Sequence, residues 1–352
     1  MRTVQVGGLA VLMGVLVYPF CLWADEAAAV AWVEKQGGTI KRDEKSPDRP
    51  VVRVDLSRST VTDAGLRELV PFKSLHTLSL GGILRSSQVT DAGLKELVRL
   101  SNLKTLSLDF TGITDAGMKE LAALDNLEVL HLCFTPITDA GVRELVPLRS
   151  LRILDLNSTK VTDAGLAQLI SHKSLRGLTL CNTNVTDAGM KHLASIEAIE
   201  SINIFGTPVT DVGLKELAFL KSLRVLKLDH TQVTDAGMKE LAQVESLQSL
   251  SLWNVSVTDA GLKDLAALRN LHMLNLRGTQ VTDSGMQHLD SLEALRQLIL
   301  QETGVTDAGL MKLAPLSGLR TLYLSKSKVT ARGIAELQKA LPACNITQVY
   351  IE

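Results

Sequence analysis

The sequence predicts a curved α/β solenoid of the horseshoe kind, with short parallel strands on its concave side and short helices on its convex side. Three observations carry this. A Thr-Asp pair recurs with its Thr at residues 62, 90, 114, 138, 162, 186, 210, 234, 258, 282 and 306, and every spacing is 24 except the first, which is 28. Between copies runs Leu-x-x-Leu-x-Leu-x-x-Thr, as at Leu151, Leu154, Leu156 and Thr159, or Leu223, Leu226, Leu228 and Thr231. The composition is 45% hydrophobic but 3% aromatic, so Leu, Val, Ile and Ala form the core. A chain of 352 residues would ordinarily divide into compact domains. A repeat array escapes that limit because each unit needs only its neighbours.

From the amino terminus, residues 3 to 23 carry no charge and follow a basic start at Arg2. This predicts an export signal over residues 1–24, with cleavage after Ala24. Retention as a single membrane anchor is the alternative, since about 20 apolar residues can just span a bilayer. Cys21 follows Phe20 where a lipoprotein signal would carry a small residue, so no lipid anchor is expected. The expected location is outside the cytoplasm: periplasm, cell surface or secreted. Residues 25–50 are expected to cap the array, through a helix over Ala27–Gln36 that stops at Gly37-Gly38 and lays Val30 and Val33 on the first coil.

Residues 51–352 then form about 13 coils, from a first strand holding Val51, Val54 and Leu56. In each coil the Leu-x-Leu alternation argues for a strand with one buried face. Thr and Asp supply acceptors for the free amides at a helix start, and the carboxylate suits the helix dipole. Apolar residues then recur every three positions, as at Met118, Leu121 and Leu124, and give a short helical stripe. Strands lie about 4.8 Å apart and helices nearer 8–10 Å, so the stack must curve with its strands inside. A degraded copy at Thr330 leads to a last helix over Ile334–Leu341 and a final strand holding Ile346, Val349 and Ile351, whose edge stays open to pairing.

These units resemble leucine-rich repeats, in particular the ribonuclease-inhibitor-like type, the cysteine-containing repeats of F-box substrate adaptors, and exported bacterial proteins with Thr-Asp-Ala-Gly-Leu repeats. The likeness covers residues 51 to 352. It implies a non-enzymatic scaffold that binds a protein or peptide on its concave face. One departure is that the strand segment ends in Thr, as at Thr111 and Thr135, where the family carries Asn or Cys; a Thr hydroxyl can still bond backbone in the turn.

Numbering Leu-x-x-Leu-x-Leu-x-x-Thr as columns one to nine puts columns three, five and seven on the concave face, with column eight at its margin. Six of the eight aromatics in residues 51 to 352 fall in these columns: Phe110, Phe134, Phe205, Trp253, Tyr323 and Tyr350. About 1.3 would fall there by chance, given the strand period. Strand propensity is the bland explanation of the excess; a binding ridge is the functional one. Phe110 and Phe134 share column eight on neighbouring coils and could stack. His131, Asp155, Asp229 and His230 are the polar residues expected to join them in partner binding.

Ser107, His131 and Asp155 occupy column five on three consecutive coils, as a nucleophilic triad would need. Side chains parallel on a sheet need not converge, and no oxyanion hole is apparent, so a polar ladder is expected and no catalytic residue is assigned. Cys133 and Cys181 share column seven two coils apart, too far for a disulfide. Without metal-ligand spacing, neither a metal nor any other cofactor is expected. The row of Asp residues at the helix starts reads as capping rather than a calcium ladder.

Net charge is -1, so no global field draws the chain to nucleic acid or an anionic membrane. Column two is largely basic but broken by Glu128 and Glu200, which suits lateral pairing at a solvated edge. The long first spacing inserts a loop carrying Ile83 and Leu84, either a contact loop or a harmless insertion. Membrane contact is expected only if residues 1–24 stay attached. Carbohydrate binding on the same aromatics is an alternative. So is an F-box-like substrate receptor, although residues 25 to 50 are too few to form the adaptor domain it needs.

Overall fold

The computed structural model describes residues 18–82 and 88–348. The apolar run Val4–Val17, the insertion residues Ile83 and Leu84, and Val349, Tyr350 and Ile351 lie outside them. Among the described residues, no helix is long and apolar enough to cross a membrane.

The molecule is an open solenoid with a single sheet of 14 strands in sequence order, curved into a horseshoe with the strands inside. The strands are β1 (Thr39–Arg42), β2 (Val51–Asp55), β3 (Thr77–Ser79), β4 (Thr105–Ser107), β5 (Val129–His131), β6 (Ile153–Asp155), β7 (Gly177–Thr179), β8 (Ser201–Asn203), β9 (Val225–Lys227), β10 (Ser249–Ser251), β11 (Met273–Asn275), β12 (Gln297–Ile299), β13 (Thr321–Tyr323) and β14 (Asn345–Thr347). From β2 onward the pairing is parallel, with each central Leu or Ile opposite its equivalent, as Leu226 opposite Leu250. The extra four residues of the long spacing leave that register intact, because Leu78 still faces Leu106.

The first edge differs from the expected all-parallel sheet. Strand β1 runs antiparallel to β2, with Ile40 opposite Val54. A hairpin-like return is possible there because only residues 43–50 separate the two strands, whereas a parallel pair needs a long crossover. The helix before β1 spans Tyr18–Lys35, longer at its start than the pattern predicts. Ala29 and Val33 are buried, with Val30 and Trp32 packed against the same core. Helix and β1 together close the open end of the first coil.

Each coil buries its Leu columns completely; Leu151, Leu154 and Leu156 are all at 0% exposure. Burying one such side chain stabilises by about 1.5–3 kcal/mol, so the core alone sets the stack. Phe72 is fully buried in the core. The column-nine hydroxyls bond backbone inside the turn, as Thr111 Oγ1 donating to Leu108 O at 2.6 Å and Thr231 Oγ1 to Leu228 O. The last helix runs Ala331–Ala340.

The Thr-Asp-x-Gly element divides its labour differently from expectation. Thr is the helix cap: Thr258 Oγ1 accepts from Ala260 N at 3.2 Å. Asp instead reaches the next coil, where Asp235 accepts from Thr258 N at 2.7 Å and from Thr258 Oγ1 at 2.6 Å. The same pair of bonds joins Asp63 to Thr90, Asp91 to Thr114, and so on to Asp307 and Thr330. The glycine two positions after the Asp makes room for this, since a Cβ at Gly261 would sit 2.5 Å from Asp235 Oδ1.

Candidate functional site

The concave face carries three groups of side chains, each placed by the strand that precedes it. The first surrounds the column-five row. Ser107 Oγ donates to Asp109 Oδ2 at 2.9 Å, and Cys133 N donates to Asp109 Oδ1 at 2.7 Å. The serine proton is therefore directed at Asp109, not at His131, and Ser107, His131 and Asp155 do not form a relay. His131 Nδ1 lies 3.8 Å from Asp155 Oδ2, an ion pair rather than a hydrogen bond. Asp155, with Asp109 beyond it, raises the His131 pKa against the opposing effect of burial. Burial pushes the Asp109 carboxyl up despite its bonds.

The thiols beside this row are held in the protonated form. Burial, followed by the nearby Asp155 and Asp109 carboxylates, pushes Cys133 up to about 12. Burial pushes Cys181 up to about 11. Asn157 Nδ2 donates to Cys133 Sγ at 3.2 Å. Cys133, Cys181 and Cys344 are free cysteines. Among the described residues, no cluster of three or more His, Cys, Asp or Glu is placed to hold a metal ion.

The second group sits at the strand ends. Every column-eight residue from Phe110 to Lys326 has a left-handed backbone, with φ between 52° and 67°. The turn lets the residue's N–H reach the next coil, as Phe110 N donates to Cys133 O at 2.8 Å and His230 N to Trp253 O at 2.9 Å. Gly206 and Gly278 adopt this backbone freely, whereas bulky residues there are uncommon. Phe110 and Phe134 nevertheless occupy it on adjacent coils and stack, with centroids 4.7 Å apart and planes at 15°. Phe134 is 45% exposed. The pair flanks an open groove of about 610 Å³ whose further lining includes Pro136, Lys160 and Asn182. On β6, Ile153 adds an exposed aliphatic side chain that the aromatic census did not flag.

The third group brings Phe205, His230 and Trp253 together across three coils. His230 lies 4.9 Å from Phe205 and meets Trp253 edge-on at 4.7 Å. Arg277, which the sequence reading missed, places its guanidinium 5.0 Å from the Trp253 ring centroid. Its column-seven place one coil after the Trp is the signal that could have found it. Arg277 also pairs with Glu302 at 3.0 Å, and Glu302 takes Lys326 at 3.1 Å. Asp229 is buried beneath the group and accepts from Ser251 Oγ at 2.5 Å and Trp253 N at 2.7 Å. It orders the strand end rather than meeting a partner directly. Tyr323 is half-buried on β13 and, among the described residues, stacks with no other ring.

At the solvated edge, charges pair laterally: Lys104 with Glu128 at 3.0 Å, Arg152 with Glu128 at 3.4 Å, and Arg176 with Glu200 at 3.5 Å. Farther along the same column, Arg296 and Arg320 donate to backbone carbonyls instead.

The same architecture occurs in solved structures. An internalin from Listeria monocytogenes superposes with a TM-score of 0.62 at 22% identity, covering 94% of this chain and 96% of the other. A leucine-rich repeat protein of Leptospira interrogans gives a TM-score of 0.51 at 19% identity, covering 82% and 95%. No curated protein matches the chain in sequence. Residues 111–347 match the family described as leucine-rich repeat region, and residues 99–122 match a single leucine-rich repeat. With the coil, its turn bonds and its stacked Leu columns all in place, the chain belongs to the leucine-rich repeat family.

Proposed function

We propose that this protein is a non-enzymatic recognition scaffold acting outside the cytoplasm, which binds a protein or peptide partner on its concave face. The fold is one that typically serves protein binding. The observation that carries the reading is the placement of aromatics: Phe205, His230 and Trp253 form one cluster and Phe110 with Phe134 another, both on the face lined by strands. Aromatic and Arg side chains are the usual anchors of interfaces. Export rests on the uncharged run after Arg2.

A sugar platform is less well supported. Stacking a sugar needs an open ring face, and at Trp253 one face is covered by the Arg277 guanidinium while His230 meets the ring edge-on. The reading is tested by partner capture with the full chain and with the Phe134→Ala/Trp253→Ala double variant. Loss of a reproducible partner, with the far-UV spectrum and thermal midpoint retained, supports it. Unchanged capture by the double variant sinks it.

A further inference from the structure

We propose that the concave face is built for an extended peptide segment with opposite charges at its two ends, basic over Asp155 and acidic over Lys227 and Arg277. This rests on the reading of that face as a peptide-binding surface and adds the chemistry of the partner.

From β4 to β11 the charge on the face is segregated, although β2 before it carries both Arg53 and Asp55 in the same columns. Along β4 to β6 the concave columns carry Asp109 and Asp155, with His131 held between them. The next two coils carry no charged residue in these columns, which run from Gly177 to Gly206. Positive charge then begins at Lys227 and continues at Arg277. The anions of that region are already committed: Asp229 is 7% exposed and bonded to Ser251 and Trp253 N, and the single carboxylate of Glu302 serves both Arg277 and Lys326. Asp109 is committed in the same way, to Ser107 Oγ and Cys133 N, which leaves Asp155 as the acid the face offers. Lys227 is exposed on β9.

A second observation points to an acceptor-bearing ligand at the basic end. Arg277 Nε and Trp253 Nε1 are shielded from solvent yet have no hydrogen-bond partner. Buried donors are ordinarily satisfied, so two orphans in one stacked pair mark a place where acceptors are missing. A partner carboxylate beside Arg277 supplies them, drawing the guanidinium from the indole into a bidentate pair. At the other end, Asp155 keeps part of its carboxylate at the surface, with its side chain 24% exposed.

The spacing sets the length of the segment. Five strand intervals separate β6, with Asp155, from β11, which leads into Arg277, or roughly 24 Å at about 4.8 Å each. An extended chain covers that distance in about seven residues. At physiological salt, ends this far apart act independently, because the Debye length is about 8 Å. The uncharged stretch between them, flanked by Phe205 and Gly177, takes the apolar middle.

The probe is a random library of peptides about sixteen residues long, panned on the full chain, keeping only peptides that lose binding to Phe134→Ala/Trp253→Ala. The expected peptides carry Lys or Arg in one half and Asp or Glu in the other, about seven residues apart. Their affinity is expected to fall at least tenfold on Lys227→Gln/Arg277→Gln when the acidic half is intact, but to change little when that half is neutralised. Asp155→Asn is expected to act likewise on the basic half. Peptides confined to this face but of one sign, or with mixed charge, overturn the proposal and leave the scaffold reading standing. If no peptide depends on Phe134 and Trp253, both fall.

Discussion

The carboxylate of Asp235 grips Thr258 of the next coil twice, through the backbone N–H at 2.7 Å and the hydroxyl at 2.6 Å. Thr258 in turn caps its own helix, so one residue pair both starts a helix and ties two coils. At Asp307 the equivalent bonds from Thr330, side chain first and backbone second, hold the carboxyl below its ordinary value.

Asp235→Ala is expected to destabilise by about 2–4 kcal/mol, since it removes two charge-assisted bonds and leaves the Thr258 amide without its acceptor. Asp235→Asn, which keeps one acceptor oxygen, is expected to lose less. Gly261→Ala should resemble the alanine variant, because its Cβ would collide with Asp235 Oδ1. Urea unfolding of the three variants checks the order; equal stability of Asp235→Ala and wild type would show the joint to be idle.

Acid sensitivity is expected at His172. This side chain is fully buried at a position where other coils carry Leu124, Leu148 and Leu268, and its Nε2 lies 3.0 Å from Leu145 O. Burial, aided by Arg149, lowers its pKa against the bond to Leu145 O. The unfolded chain therefore binds the proton first: stability falls as pH drops below the ordinary value of 6.5, and the loss levels off below the folded pKa. His131 runs the other way, contributing stability below that value and losing it as pH rises through its raised pKa. His172→Leu is expected to shrink the drop in urea midpoint between pH 7 and pH 5, and His131→Gln to enlarge it.

Phe134→Gly separates binding from stability. The substitution forfeits a stacked pair worth about 0.5–1.5 kcal/mol, but it relieves a left-handed backbone that costs a non-glycine residue roughly 1–2 kcal/mol. The thermal midpoint is expected to stay within a few degrees while partner capture drops. A large loss of stability would instead make Phe134 a structural residue.

Cys133 is expected to react with a thiol reagent at pH 8 at least about a hundredfold more slowly than a free thiol, given a pKa of about 12 and the dependence of attack on thiolate. Unfolding in urea should restore the ordinary rate. Fast labelling of the folded protein would contradict the buried, carboxylate-flanked setting.

Much of this was legible in one dimension. The 24-residue spacing and the Leu columns specify the coil, because burial at each strand and helix repeats at that interval. The partner of Asp235 was not legible: it lies 23 residues on, and only stacking shows that its nearest amide belongs to the next coil. Strand β1 was missed because Thr39–Arg42 is short and lacks the repeat. The Phe110–Phe134 stack was anticipated from the shared column. The left-handed backbone beneath it was not, since Phe has no preference that announces such a turn. Arg277 escaped because a single charge in a column reads as solvated until the indole beside it is seen.

The Asp-to-Thr joint recurs from coil to coil with nearly constant geometry, from 2.6 to 2.8 Å in the bonds that join Asp63 to Thr90 and Asp91 to Thr114. Among the described residues the joint is thus nearly the same from coil to coil, and what distinguishes the concave surface of one coil from that of the next is the side chains it carries.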